Sequence, residues 1–258
     1  MTTTDDQADR LSTIAVDAPV PAAAAVFVDA DVDVRTDYAA AWVAEALRDV
    51  LARQDRAVLA LVGGSEVARA HAALVDQDVD WSRVVVTQGD ERAVPAESAH
   101  RNWRVIEPLV DPLLADGRLP VDNVVALPDL PAGATPADVE AALDDMRSRV
   151  DHVDVALLAA GPDGHCASLF PGHPGLEATG TFTVVDDSPK PPPLRMSVTV
   201  GTLAGADASL LLVSGDDKAT AAAAIAAGGS LSGAPGRVVH LARRGVIVTD
   251  RVPEAGSA

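Results

Sequence analysis

At 258 residues the chain is long enough for one large α/β domain or two small ones. Hydrophobic residues make up 48% but aromatic ones only 3%, so Ala, Val and Leu must fill the core. A formal net charge of −18 repels phosphate backbones and anionic surfaces, and no apolar run is long enough to span a bilayer, so neither nucleic acid nor membrane is an expected partner.

Residues 1–22 are polar or rich in Pro and Ala and are expected to form a flexible tail, with residues 23–258 as a single domain. The amino end lacks the basic and apolar regions of a signal peptide, and the single cysteine, Cys166, excludes an internal disulfide. A cytoplasmic location is therefore expected. Asp37 reads as the N-cap of a first amphipathic helix. Continuous apolar runs then predict buried strands over residues 57–62, 81–87, 123–127, 153–160, 209–214 and 245–249. Between them, Thr135 followed by Pro136 and Asp138 predicts a capped helix start, and an alanine-rich helix should follow Asp216. Residues 181–200 carry two β-rich stretches, which predict antiparallel strands near one edge. Strand–helix alternation gives an α/β fold: a Rossmann-like three-layer sandwich with a mostly parallel sheet and a few added antiparallel strands.

Ligands of such sheets bind beyond the carboxyl ends of the strands, so the loops there carry the chemistry. Gly63-Gly64-Ser65 follows the first long strand and opens a helix, a composition that suits either an anion cradle or an ordinary tight turn. Asp90, Glu91 and Arg92 follow the next strand, where three consecutive charges need partners or solvent. Gly161-Pro-Asp-Gly-His-Cys-Ala-Ser-Leu-Phe-Pro-Gly172 presents His165 two residues from Asp163, a carboxylate able to set the imidazole tautomer. The chain has two lysines, Lys190 and Lys218. Lys190 and Arg195 share a proline-stiffened segment; Lys218 follows Ser214-Gly-Asp-Asp at the end of a strand. Neither a G-x-S-x-G elbow, a Walker A lysine nor a metal spacing among the six histidines is present, so serine-hydrolase, nucleotide-binding and metal chemistry are not expected.

These segments, in this order, resemble the 6-phosphogluconolactonase family: Gly63-Gly64-Ser65, Gly89-Asp-Glu-Arg-Ala-Val-Pro95, the stretch from Gly161 to Gly172, Asp187-Ser-Pro-Lys-Pro-Pro-Pro-Leu-Arg195 and Ser214-Gly-Asp-Asp-Lys-Ala219. The resemblance implies hydrolysis of 6-phospho-D-glucono-1,5-lactone, the second step of the oxidative pentose phosphate pathway, without metal or cofactor. It implies His165 as the base that activates water, with Asp163 beside it. Gly63, Gly64, Ser65, Asp90, Arg92, Lys190, Arg195 and Lys218 are then the substrate-binding set. The glycine–serine loop continues with Glu66-Val67 where the family usually has Thr-Pro. Two other readings compete: an amino-sugar-6-phosphate isomerase or deaminase of the same superfamily, and a non-catalytic sugar-phosphate-binding protein. The Ala167-Ser-Leu-Phe-Pro171 run favours the lactonase over the Asn-Glu-Pro pattern of deaminases. A monomer or weak homodimer is expected.

Overall fold

The structure is a computed structural model that describes residues 14–253. From the amino end, β1 (Pro19–Val20) and β2 (Ala25–Val28) precede helix α1 (Val32–Leu51), and β3 (Ala57–Leu61) leads into α2 (Ser65–Leu74). Strands β4 (Val84–Gln88) and β5 (Asp90–Arg92) come next, then α3 (Trp103–Ala115), β6 (Val124–Val125), α4 (Pro136–Arg149) and β7 (Val155–Ala159). The remainder is β8 (Phe182–Val185), β9 (Arg195–Val198), α5 (Val200–Ala204), β10 (Ala208–Leu212), α6 (Ala219–Ala226), β11 (Gly229–Ser230) and β12 (Arg244–Thr249).

Seven strands form one parallel sheet in the order β2-β12-β10-β7-β3-β4-β6. Its inner strands are buried on both faces: every residue of β3, β4 and β10 is enclosed. That is why their sequences run to Ala, Val and Leu with little alternation, interrupted by the buried polar residues Thr87, Gln88 and Ser209. Helix α1 lays Ala39, Ala40, Val43, Ala44, Leu47 and Val50 against this sheet, a face of small residues spaced at three and four that lets the helix lie close. A three-stranded antiparallel sheet, β5-β9-β8, stands beside the parallel one, and β1 pairs with β11. The α/β expectation, mostly parallel with a few antiparallel strands, holds.

Three local expectations need correction. The first helix begins at Val32 with Asp31 as its N-cap, the Asp31 side chain accepting from the Asp33 backbone N–H, so Asp37 lies inside the helix. Trp81–Arg83 is a 3-10 turn that buries the Trp81 ring, and the strand starts only at Val84. Of the expected tail, residues 1–13 lie outside the described residues, whereas Val16 and Val20 are buried and Pro19–Val20 pairs with Gly229 and Ser230. By contrast, the helix start at Thr135 is a full capping box with Asp138.

The chain steps from β3 to β4 and β6 in one direction across the sheet, and from β7 to β10 and β12 in the other. The order thus reverses between β3 and β7, and the crevice beyond their carboxyl ends is the switch point where ligands of open α/β sheets bind.

Candidate active site

The loop after β7 supplies His165. Gly161 N–H donates to the His165 carbonyl at 3.0 Å, and Gly164 N–H to the Gly161 carbonyl at 2.9 Å, closing a tight turn. Gly161 has to be glycine, because a Cβ there would lie 2.0 Å from His165 Cε1 and 2.2 Å from Nδ1. The imidazole packs directly on that backbone. Asp163 Oδ1 accepts from His165 Nδ1 and also from Lys190 Nζ at 3.3 Å; Lys190 Nζ lies 3.0 Å from the same ring nitrogen. An ionised carboxylate can only accept, so the proton belongs on Nδ1 and the lone pair on Nε2. Burial lowers the His165 pKa against the opposing pull of Asp163, and the Lys190 ammonium adds to the lowering. Burial alone would raise Asp163, but the hydrogen bond from His165 and the charge of Lys190 outweigh it and hold the carboxyl below its ordinary value. At neutral pH the site therefore holds a neutral imidazole beside an ionised carboxylate.

A connected set of contacts runs from this ring to the turn after β3. His165 stacks on Phe170 with ring centroids 4.9 Å apart, and the Arg195 guanidinium lies 5.6 Å from the Phe170 centroid. Arg195 Nη1 reaches Ser168 Oγ at 3.4 Å, and Ser168 Oγ donates to Asp90 Oδ2 at 2.7 Å. Asp90 Oδ1 accepts from Asn102 Nδ2 at 3.0 Å, and Gly63 sits so close to Asn102 that a Cβ would meet its Oδ1 at 2.1 Å. Two residues after the histidine, Ala167 takes a left-handed backbone with φ 49°, costing on the order of 1 kcal/mol for a non-glycine residue. That turn faces Ser168 toward Asp90. Cys166 is fully buried, which pushes its thiol up to about 12 and excludes a thiolate nucleophile.

The cations divide into groups. Arg92 and Arg195 are direct cross-strand partners of β5 and β9, and like charges so placed repel. Arg195 is almost wholly buried, and burial lowers its pKa while nearby Asp90 raises it. Its Nε donates to the Pro192 carbonyl at 3.0 Å and its Nη2 to those of Lys190 at 2.9 Å and Pro191 at 3.4 Å. Arg195 thus clamps the loop that carries Lys190. Arg92 Nη1 donates to the His100 carbonyl at 2.6 Å, and its buried Nε has no partner among the described residues. Lys218 pairs with Glu66, the residue that follows the Gly63–Ser65 turn. The structure brings His165, Asp163, Lys190, Arg195, Asp90 and Gly63 into one network and leaves Lys218 outside it.

Glu91, the middle of the three consecutive charges, is structural. Its carboxylate is fully buried and accepts from Gln88 Nε2 at 2.8 Å, Arg92 N at 2.7 Å, Asn102 N at 2.7 Å and Trp103 N at 2.9 Å, with Arg101 Nε at 3.4 Å. It caps α3 from a distance, where Asn102 makes no side-chain cap. Phe170, Ser168 and Asn102 join this network without a motif of their own in the sequence. The first two lie inside the Gly161–Gly172 segment, but nothing local marks Asn102, whose partners are Asp90 and Gly63. Among the described residues no cluster of His, Cys, Asp and Glu is arranged to hold a metal, and no helix is long and apolar enough to cross a membrane.

Residues 30–248 match the family described as glucosamine-6-phosphate isomerases/6-phosphogluconolactonase. A Streptomyces coelicolor protein named 6-phosphogluconolactonase is 34% identical over 226 residues, covering 81% of this chain and 85% of the relative. One from Pseudomonas aeruginosa with the same name is 35% identical over 193 residues, covering 72% and 79%. The crystal structure of 6-phosphogluconolactonase from Thermotoga maritima superposes with a TM-score of 0.72 at 23% identity, over 88% of this chain and all of that one. At that identity the structural likeness speaks for the fold.

Proposed function

Because the chain belongs to the family of glucosamine-6-phosphate isomerases and 6-phosphogluconolactonases, we propose that it hydrolyses 6-phospho-D-glucono-1,5-lactone to 6-phospho-D-gluconate, the lactone-opening step of the oxidative pentose phosphate pathway. The observation that carries the mechanism is the His165–Asp163 pair at the end of β7, with Nδ1 tied to a carboxylate and Nε2 free to act. His165 Nε2 takes a proton from water as the water oxygen bonds to the lactone carbonyl carbon. The tetrahedral oxyanion then collapses, the bond from that carbon to the ring oxygen breaks, and His165 returns its proton to the departing ring oxygen. Asp163 stays ionised and steadies the imidazolium between these transfers. The carboxylic acid so formed releases its remaining proton to solvent.

Arg92 and Arg195, opposite one another across β5 and β9, supply positive charge against the protein's overall negative field. A phosphate seated near the Gly63–Ser65 turn relieves their repulsion and fixes the far end of the substrate. Binding energy from that remote group serves to align the carbonyl with the water. Lys190 and Lys218 extend the cationic rim, and Asp90 holds the network under it. The amino-sugar isomerase reading is weaker, because the relatives at 34% and 35% identity carry the lactonase name.

The test is turnover of 6-phosphogluconolactone by the purified protein against His165→Ala, after subtraction of spontaneous hydrolysis. Loss of a positioned base lowers kcat by about 10²- to 10⁴-fold. Equal kcat for both proteins would overturn the assignment of His165.

A further inference from the structure

Glu66 occupies the first turn of α2, where a carboxylate ordinarily interacts with its own helix's free N–H groups. Here it is directed away. Its Oε1 accepts from the Ser214 backbone N–H at 2.6 Å and from Ser214 Oγ at 2.5 Å, while Oε2 accepts from Lys218 Nζ. Glu66 follows β3 and Ser214 follows β10, and β7 lies between those two strands. The carboxylate therefore joins the turns of the two strands that flank the one delivering His165. Both side chains of the ion pair are largely enclosed, at 15% exposure for Glu66 and 19% for Lys218.

One backbone N–H, one hydroxyl and one ammonium converging on a pair of oxygens form a donor set that suits a phosphate as well as a carboxylate. The turn that presents them uses Gly215 at φ 101°, and the next N–H, that of Gly215, is taken by Asp250 Oδ2 at 3.1 Å. Arg251 pairs with both Asp250 and Asp216, so those two carboxylates are engaged away from Lys218. Glu66 is the carboxylate that holds the ammonium itself.

We propose that Glu66 is an internal anion that occupies the Ser214–Lys218 donors before substrate binds and gives them up to the phosphate of the substrate. The residue thereby sets how strongly phosphorylated lactones are preferred over unphosphorylated ones. This inference rests on the proposed phosphate seat near the Gly63–Ser65 turn, with Lys218 in its cationic rim. An incoming phosphate dianion must break the Glu66–Lys218 pair before Lys218 can contribute, so part of the attraction is cancelled. Removing the charge while keeping the shape leaves Lys218 free for the phosphate.

The experiment compares wild type, Glu66→Gln and the double variant Glu66→Gln/Lys218→Met, with thermal melts to confirm folding. The readouts are KM for 6-phosphogluconolactone, KM for glucono-1,5-lactone and inhibition by inorganic phosphate. In Glu66→Gln, KM for the phosphorylated lactone and Ki for inorganic phosphate both fall about tenfold, the size of one strong charge interaction at a partly enclosed site. KM for gluconolactone stays put, and the double variant loses the gain. Glu66→Ala moves in the same direction and serves if the glutamine variant misfolds. An unchanged or raised Ki for phosphate in Glu66→Gln overturns the inference while wild type still prefers the phosphorylated lactone. A wild type that hydrolyses neither lactone overturns instead the function on which the inference rests.

Discussion

Gly161→Ala tests how closely catalysis depends on the seat of the imidazole. The new methyl would lie 2.0 Å from His165 Cε1, 2.2 Å from Nδ1 and 2.9 Å from Asp163 Oδ1, where ordinary contact begins at 3.4 Å. The ring must withdraw by roughly 1 Å or more, and it cannot do so and keep Nδ1 on Asp163. Misplacement of about 1 Å costs on the order of 10²-fold in rate. The backbone itself tolerates alanine, because Gly161 is not among the glycines with positive φ. A Gly→Ala change at such a site gains about 0.4–1 kcal/mol through the unfolded chain, which offsets part of the local clash. We therefore expect kcat to fall about 100-fold or more, with KM for 6-phosphogluconolactone little changed and Tm within about 4 °C of wild type. Proton release in weak buffer, corrected for spontaneous ring opening, measures the first two, and a melting curve the third. A folded Gly161→Ala protein with kcat within about threefold of wild type would refute the placement of His165 against this backbone.

Other outcomes follow from the same geometry. Glu91→Gln replaces a buried acceptor of several N–H groups with a side chain that presents donors to some of them; denaturant titration should show a loss of about 3 kcal/mol or more, and a loss under about 1 kcal/mol would contradict its capping role. The lowered pKa of His165 means that kcat/KM rises with pH on the acid side with its midpoint below the ordinary histidine value of 6.5. Lys190→Met removes a nearby ammonium and should shift that acid limb upward in a pH–rate profile; a downward shift would contradict its electrostatic role. His71 is fully buried, with Nδ1 2.9 Å from the Val105 carbonyl, and burial lowers its pKa to about 4. The unfolded chain then binds this proton at higher pH than the folded one, so stability is complete above pH 6.5 and lost as pH falls toward 4. At about 1.4 kcal/mol per unit the contribution is roughly 3 kcal/mol, and a urea midpoint that did not fall across that window would count against it. His152 acts in the opposite sense: Asp154 and Asp151 raise it to about 9, so its contribution is present below pH 6.5 and fades as pH rises through 9.

Much of this protein can be read along the chain because its information is local. Runs of Ala, Val and Leu mark β3 and β7 and, interrupted only by Ser209, β10, since strands buried on both faces have no solvent side to alternate with. Thr135, Pro136 and Asp138 mark a helix start, since the capping bonds close within one turn. The segment from Gly161 to Gly172 marks His165 and Asp163, because two residues of spacing bring a carboxylate to an imidazole within a tight turn. The short strand β2 lacks such a mark: it lies at the sheet edge and is mostly exposed, so no buried run announces it.

What depended on tertiary structure is which polar groups spend their charge on one another. Arg195 reads as a free cation in a proline-rich stretch, yet in the fold it clamps the carbonyls of Lys190, Pro191 and Pro192. Glu91 and Arg92 are neighbours in sequence, but alternation along β5 sends one into the cap of α3 and leaves the other opposite Arg195. Asn102 acquires its role from Asp90 and Gly63, twelve and thirty-nine positions away. Glu66 meets Lys218 from 152 positions away, because β3 and β10 flank the same strand. The base and its carboxylate lie within reach of each other along the chain, so their pairing is local. The groups around them are joined by sheet order, and the order of strands in a sheet is set by packing of the whole chain.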